Sequence, residues 1–201
     1  MSTALSRTRT IDRQTRETKI SATVDLDGSG EVDVDSGVPF LDHMLDCLGR
    51  HAEMNIRLRC AGDVEIDPHH SVEDVGIVIG MAVREALGDR AGIARYGHAY
   101  APLDEALART VIDVSGRPYF VFVGDFPEPV IGTDFAASLV EEFWRAFATN
   151  AGFTMHIDLL RSRNSHHAAE AIFKSAALAI HAATRVSRST MAIPSTKGVL
   201  A

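Results

Sequence analysis

The amino-acid sequence predicts an α+β fold of two similar ββαβα halves, an internal repeat with the helices packed between two sheets. One order of strand-like and helix-like segments occurs twice along the 201 residues. The helical segments of both halves are apolar on one side, so we expect them to pack together beneath the sheets. We assign residues 1–90 to the first half and residues 91–201 to the second half, with one shared core.

The first half contains segments that alternate in polarity like strands and segments whose apolar residues recur at helical spacing. We expect Asp67 to cap the last helix, with Pro68 at its first position and Gly88 after its end. The predicted strands are residues 17–25, 31–35 and 54–60, and the predicted helices are residues 39–50 and 68–87.

The second half repeats this order of elements, with a Ser115-Gly116-Arg117 turn between its first two strands. Asn164 or Ser165 is expected to cap the last helix, which runs to about Thr184. The predicted strands are residues 106–114, 118–123 and 153–160, and the helix before the last strand is residues 135–151.

Composition excludes several classes of function. The net charge is −7 and no block of basic residues stands out, so no electrostatic footprint for nucleic acid is present. The longest apolar run, residues 75–83, is too short to span a bilayer, and residues 1–16 lack the apolar core of a signal peptide. With only Cys47 and Cys60, a disulfide framework is not expected. We therefore expect a cytoplasmic protein that binds neither nucleic acid nor membranes.

Two histidine pairs lie at matching places in the repeat. The motifs are His69-His70-Ser71-Val72-Glu73 and His166-His167-Ala168-Ala169-Glu170, each in the first turn of a predicted helix. The spacing puts each glutamate on the same helical face as its histidines, whereas adjacent histidines point about 100° apart. We therefore expect adjacent rings to serve different ions, and two facing motifs predict two metal sites, each with ligands from both motifs.

The ligand types and the helix position narrow the kind of ion. Mixed imidazole and carboxylate ligands suit Mn, Fe, Co, Ni or Zn better than Mg or Ca. The positive potential at a helix N-terminus also favours neutral rings that offer a lone pair. For a single histidine, a surface or hydrogen-bonded core role would be the better interpretation. The repetition of the whole motif favours metal binding.

Two further side chains are candidate ligands. His43 lies in the first helix of the first half, and Glu142 takes its place in the second half within a register slip of a residue or two. Each alone could be a solvated helix residue, but as counterparts in a repeat each could add one ligand.

The sequence resembles the imidazoleglycerol-phosphate dehydratase family over nearly all of residues 7–200. Many motifs in family order and spacing carry the resemblance. They are Arg16-Glu17-Thr18, Phe40-Leu41-Asp42-His43-Met44-Leu45, His69-His70-Ser71-Val72-Glu73-Asp74, Pro102-Leu103-Asp104-Glu105-Ala106, Ser115-Gly116-Arg117-Pro118, Asn164-Ser165-His166-His167, Glu170-Ala171-Ile172-Phe173-Lys174 and Ile193-Pro194-Ser195-Thr196-Lys197-Gly198.

The resemblance implies two Mn²⁺ ions per active site and a shell of twenty-four subunits with active sites at subunit contacts. It implies dehydration of imidazoleglycerol phosphate to imidazole-acetol phosphate in histidine biosynthesis, through a metal-bound imidazolate and a diazafulvene intermediate. Glu142 stands where some family members carry histidine. The implied ligands are His43, His69, His70, Glu73, His166, His167 and Glu170, and we expect Glu142, as the counterpart of His43, to add one more.

The resemblance also implies the residues that contact substrate. Glu17 is the candidate for acid–base work at the diol, although an exposed strand carboxylate is the alternative interpretation. His51, just after the first helix, is a candidate contact, and a core or surface role is the alternative interpretation. The metal ligands, Glu142 apart, face the same substrate. The phosphate pocket comprises Arg95, Arg117, Lys174, Ser195, Thr196 and Lys197, the last three in a C-terminal phosphate-binding tail.

Two other functions are alternatives for the same sequence. A different binuclear metal enzyme, such as a hydrolase, would need neither Glu17 nor the arginine and lysine set. A non-catalytic module, either a metal-assembled shell or an RNA-binding domain, is the second alternative. The acidic charge argues against RNA, and the presence of Glu17 together with Arg95, Arg117 and Lys197 argues against a scaffold.

The phosphate assignment is tested by Lys197→Ala. Loss of this ammonium group should abolish turnover, because the substrate phosphate needs fixed cations. Metal content and assembly should stay intact, which metal analysis and gel filtration would measure. Full activity of Lys197→Ala would show that the phosphate assignment is wrong.

Overall fold

The computed structural model describes residues 6–186, 192–198 and 200. Residues 1–5 of the N-terminal segment, and residues 187–191, 199 and 201 of the second half, lie outside the described residues. In the first half the elements are β1 (Thr8–Gln14), β2 (Thr18–Asp25), β3 (Val32–Asp35), α1 (Pro39–Ala52), β4 (Asn55–Gly62) and α2 (His69–Leu87).

The second half follows the same order, with a small added hairpin before its first helix. Its elements are β5 (Tyr96–Leu103), β6 (Ala106–Asp113), β7 (Tyr119–Val123), β8 (Val130–Ile131), β9 (Phe135–Ala136), α3 (Ser138–Ala151), β10 (Thr154–Arg161) and α4 (Ser165–Thr184).

Two four-stranded sheets have the same strand order. The first is β1-β2-β4-β3 and the second is β5-β6-β10-β7, with β3 and β7 parallel to their neighbours β4 and β10. The predicted α+β fold of two similar halves is therefore confirmed. Each half begins with one more strand than the sequence indicated. β1 contains Ile11 as its only aliphatic residue, and β5 contains Gly97 and Pro102, so neither shows a clear strand pattern.

The four helices lie between the two sheets. α2 packs on β1 and β2, α4 packs on β5 and β6, and the helices meet as the pairs α2–α3 and α1–α4. Large buried rings fill the centre: the Trp144 ring centroid lies 4.8 Å from that of Phe173, which joins α3 to α4. Within the described parts of the chain, no helix is long and apolar enough to cross a membrane.

Two predicted helix starts differ from the structure. Residues 135–136 pair with β8 instead of opening α3, which begins at Ser138. α2 begins at His69, and Pro68 occupies the cap position. Asp67 still satisfies the helix end, because its Oδ1 accepts the backbone N–H of His69 at 2.7 Å. Asn164 caps α4 as predicted.

Two glycines permit the close contact between α2 and α3. A Cβ atom at Gly76 would lie 2.7 Å from the carbonyl oxygen of Phe143, and one at Gly80 would lie 2.6 Å from that of Phe147. Both obstacles are backbone atoms, which yield only if a helix moves. The close packing of the two helices therefore depends on the absence of side chains at these positions.

We expect Gly80→Ala to destabilise the protein. Overpacking a core costs about 1–3 kcal/mol, whereas the better helix propensity of alanine returns about 1 kcal/mol at most. The free energy of unfolding, measured with denaturant, should therefore fall. Glu85→Ala, on the exposed side of the same helix, is the control and should stay within about 0.5 kcal/mol of the parent. A Gly80→Ala protein as stable as the parent would contradict the close contact.

Candidate metal centre

Three candidate ligands from α1 and α4 form one cluster. Glu170 Oε1 lies 3.2 Å from His43 Nε2 and 3.0 Å from His166 Nε2. The ligand atoms of all three residues lie within 4.8 Å of one another. Among the described residues, this is the only group of three or more histidine, cysteine, aspartate or glutamate side chains this close together. Two imidazole nitrogens and one carboxylate oxygen make a donor set that fits Mn²⁺.

The first turn of α4 holds two of these ligands. Asn164 caps the helix, and its Oδ1 accepts the backbone N–H groups of His166 and His167 at 2.8 and 3.1 Å. His166 and Glu170 then face the same side at a spacing of four residues. The contact between α1 and α4 brings His43 to that side.

Glu170 is held as an anion. Burial raises the pKa of this carboxyl group, but hydrogen bonds from Lys174, His43 and His166 outweigh that effect and lower the pKa to about 2. Lys174 Nζ bonds the second carboxylate oxygen, so both oxygens have partners. Lys174, predicted to contact phosphate, thus lies against a candidate metal ligand.

Aromatic side chains lie beside the two histidines of the cluster. The Phe40 ring centroid is 6.3 Å from that of His43, 5.3 Å from that of His166 and 4.8 Å from that of Phe135. This packing restricts the imidazole rings and makes part of the wall apolar. The sequence analysis did not identify this contact, because residue 135 was assigned to a helix.

Adjacent histidines contact different carboxylates, as expected of side chains that leave the helix about 100° apart. The planes of His69 and His70 make an angle of 88° with centroids 6.2 Å apart, and those of His166 and His167 make 88° at 6.3 Å. Each motif therefore presents one ring to each of two different surroundings.

The second ring of each pair contacts a carboxylate that the sequence analysis gave no role. His70 Nδ1 lies 3.1 Å from Asp63 Oδ2, and His167 Nδ1 lies 2.9 Å from Glu105 Oε2. These hydrogen bonds raise the pKa of both histidines. They therefore oppose the helix N-terminus, whose positive potential favours the neutral rings. One of the two carboxylates could have been predicted from the repeat, because Glu105 precedes β6 as Glu17 precedes β2.

The remaining candidate ligands lie apart from the cluster. His69 Nε2 is 3.9 Å from Glu73 Oε2, and both side chains are about half exposed. Glu142 on α3 instead accepts hydrogen bonds from Arg145 at 2.8 and 2.7 Å. Among the described residues, His69, Glu73 and Glu142 do not form a close cluster of ligand atoms like that of His43, His166 and Glu170.

Glu17 lies beside the first motif. Its backbone N–H donates to Thr15 Oγ1 at 3.1 Å, and its carbonyl oxygen accepts the N–H of Asp63 at 3.2 Å. Since Asp63 also contacts His70, the backbone of Glu17 is fixed one residue away from a candidate ligand. The side chain of Glu17 is exposed and available to a substrate.

Arg95 connects the C-terminal tail to the second sheet. Its Nε and Nη2 atoms donate to Asp113 at 2.7 and 3.0 Å, and Nη1 donates to the Pro194 carbonyl oxygen at 2.9 Å. The following turn is closed by hydrogen bonds from the backbone N–H groups of Lys197 and Gly198 to Ser195. Among the predicted substrate contacts that are not metal ligands, four more are exposed: His51, Arg117, Thr196 and Lys197.

Comparison with known proteins gives one consistent family. The family model described as imidazoleglycerol-phosphate dehydratase matches residues 36–180. An imidazoleglycerol-phosphate dehydratase of Hydrogenovibrio crunogenus is 52% identical over 192 residues, covering 95% of this chain and 98% of that protein. One of Acidiphilium cryptum is 51% identical over 197 residues, covering 98% of this chain and 100% of its own.

Solved structures agree with the sequence matches. The crystal structure of the Staphylococcus aureus imidazoleglycerol-phosphate dehydratase superimposes with a TM-score of 0.81 at 38% identity, covering 90% of this chain and 99% of that one. The Pyrococcus furiosus enzyme in complex with (S)-C348 gives 0.80 at 33% identity, covering 94% and 100%. This chain therefore belongs to the imidazoleglycerol-phosphate dehydratase family of enzymes.

Proposed function

We propose that this chain carries out Mn²⁺-dependent dehydration of imidazoleglycerol phosphate to imidazole-acetol phosphate in the histidine biosynthesis of its cell. Family membership supports the dehydration itself. The observation that supports the metal dependence is the convergence of His43, His166 and Glu170 on one point.

The proposed cofactor is two Mn²⁺ ions per active site. An ion binds an unprotonated ring nitrogen, so ion binding would displace any hydrogen shared between Glu170 and the Nε2 atoms of His43 and His166. The second ion would use rings that face away from this cluster. The proposed ligands beyond the cluster are His69, His70, Glu73, His167 and, as the counterpart of His43, Glu142.

When bound, Mn²⁺ would supply Lewis acidity that favours the imidazolate form of the substrate ring, and this electron-rich ring would help the hydroxyl next to it to leave. The residues of the chain move the protons. Glu17, exposed beside His70, would act as acid and base at the diol. Hydrogen bonds with Thr15 and Asp63 fix the backbone of Glu17, which limits the positions that its carboxylate can adopt.

The phosphate end of the substrate would bind at the tail. Arg95 donates to the Pro194 carbonyl oxygen, which joins a fixed guanidinium to the turn that carries Ser195 and Lys197. Guanidinium and ammonium groups around a turn are suited to a phosphate. The proposed phosphate contacts are Arg95, Arg117, Lys174, Ser195, Thr196 and Lys197, and His51 is a further substrate contact.

The proposed working form is a shell of twenty-four subunits, with each active site at a subunit contact, in the cytoplasm. His70 and His167 support this form, because both are partly exposed and point away from the ring beside them. Such rings can serve an ion shared with a neighbouring copy. The free Cys47 and Cys60 are compatible with a reducing compartment.

The function is tested by turnover of imidazoleglycerol phosphate by metal-stripped protein with and without added Mn²⁺. We expect activity only after metal is restored, because the ring chemistry needs the Lewis acid. Formation of imidazole-acetol phosphate is the quantity measured. Equal activity in the presence of a strong chelator would contradict the proposed metal dependence.

The cluster is tested separately by His43→Ala. Loss of this imidazole should lower Mn²⁺ affinity by more than the roughly 10–100-fold that loss of an outer partner costs. Equilibrium competition with a chelator measures the affinity. His51→Ala, which removes an imidazole from the exposed last turn of the same helix, is the matched control and should bind Mn²⁺ normally. An unchanged affinity of His43→Ala would remove this residue from the ligand set.

A further inference from the structure

We propose that Glu105 and Asp63 are positioning residues that orient His167 and His70 as metal ligands, and that this division of work leaves Glu17 free. The inference rests on the proposed function, which it deepens. In the two halves of the repeat, carboxylates at different positions orient the second histidine of the motif.

Glu105 is fixed at both carboxylate oxygens. Oε2 lies 2.9 Å from His167 Nδ1, and Oε1 accepts the backbone N–H of Arg163 at 3.1 Å. Because an ionised carboxylate only accepts hydrogen bonds, the shared hydrogen belongs to Nδ1 of the ring. The lone pair of a neutral His167 then lies on Nε2, on the opposite side of the ring, where an ion can be bound.

Asp63 makes the same contact in the first half. Its two carboxylate oxygens lie 3.3 and 3.1 Å from His70 Nδ1. Its side chain is only 17% exposed, so the carboxylate has little freedom to leave the ring. Its backbone N–H is also fixed on the Glu17 carbonyl oxygen at 3.2 Å. His70 therefore also presents Nε2 away from its partner.

The repeat makes Glu17, not Asp63, the counterpart of Glu105. Each glutamate directly precedes the second strand of its half, β2 for Glu17 and β6 for Glu105. The halves differ in the loop before the motif, which spans residues 63–68 in the first half and only 162–164 in the second. Asp63 is the first residue of this loop, where the second half has Ser162, and it contacts the histidine, so Glu17 is not needed there.

This arrangement has a consequence for the reaction. A carboxylate that fixes a ligand ring has its lone pairs engaged and is a poor acid–base group for the substrate, whereas Glu17 remains exposed. Groups that hold the second nitrogen of a ligating histidine fix its tautomer and its orientation. The first half thus provides an acid–base residue at the position where the second half provides a positioning residue.

The test measures equilibrium Mn²⁺ affinity of the assembled protein by competition with a chelator. Glu105→Ala and Asp63→Ala should each weaken binding by roughly 10–100-fold, as loss of an outer partner does. Asp63→Asn should restore most of the affinity, because an amide oxygen still accepts the Nδ1 hydrogen. Glu105→Gln should restore part of it, because its oxygen can accept the His167 hydrogen only if its NH2 group faces the backbone N–H of Arg163. Asp33→Ala is the control. It removes a carboxylate of β3 that pairs with Arg59, and this variant should bind Mn²⁺ normally.

Glu17→Gln separates the two roles. It should bind Mn²⁺ like the parent and lose turnover, whereas Glu105→Ala should lose Mn²⁺ affinity. Unchanged Mn²⁺ affinity in Glu105→Ala and Asp63→Ala would overturn the positioning role, and so would equal losses in the alanine and amide variants. A parent protein that binds no Mn²⁺ would instead refute the proposed function, and the positioning role with it. The two pairs of variants act in different loops, so a folding failure in one pair leaves the other as the test.

Discussion

The packing of α1 against α4 is the constraint on which the candidate metal centre depends. It carries His43 from one half of the repeat to His166 and Glu170 of the other half, which no element within one half could do. The Asn164 cap fixes the first turn of α4, and Phe40 packs on both imidazole rings. The candidate site is assembled from both halves, which share one apolar core, so separation of the halves would also separate the candidate ligands.

Much of the fold could be predicted because its elements have strong local signals. Asn164 capped the predicted helix, and the alternation in β2 and β4 gave strands close to those observed. The strands β1 and β5 escaped prediction because they lie at sheet edges and have few apolar residues. Their positions depend on pairing with β2 and β6, which is a contact between segments and leaves little trace in the local sequence.

The candidate site divides along the same line. The repeated motifs indicated two histidine pairs, and the helical spacing indicated that adjacent rings contact different partners. Which groups surround them depends on tertiary structure. Lys174 lies on Glu170, and Asp63 reaches His70 from a loop whose path no periodicity describes. Glu105 could have been found from the repeat, because it occupies the place of Glu17.

Anomalous diffraction at the manganese edge, from crystals grown with Mn²⁺, tests the central claim most directly. We predict one anomalous peak within bonding distance of Nε2 of His43, Nε2 of His166 and the carboxylate of Glu170. A second peak should lie at the rings that face away from this cluster, those of His70 and His167. Manganese peaks that contact none of His43, His166 and Glu170, in crystals of protein that is active with Mn²⁺, would contradict this claim.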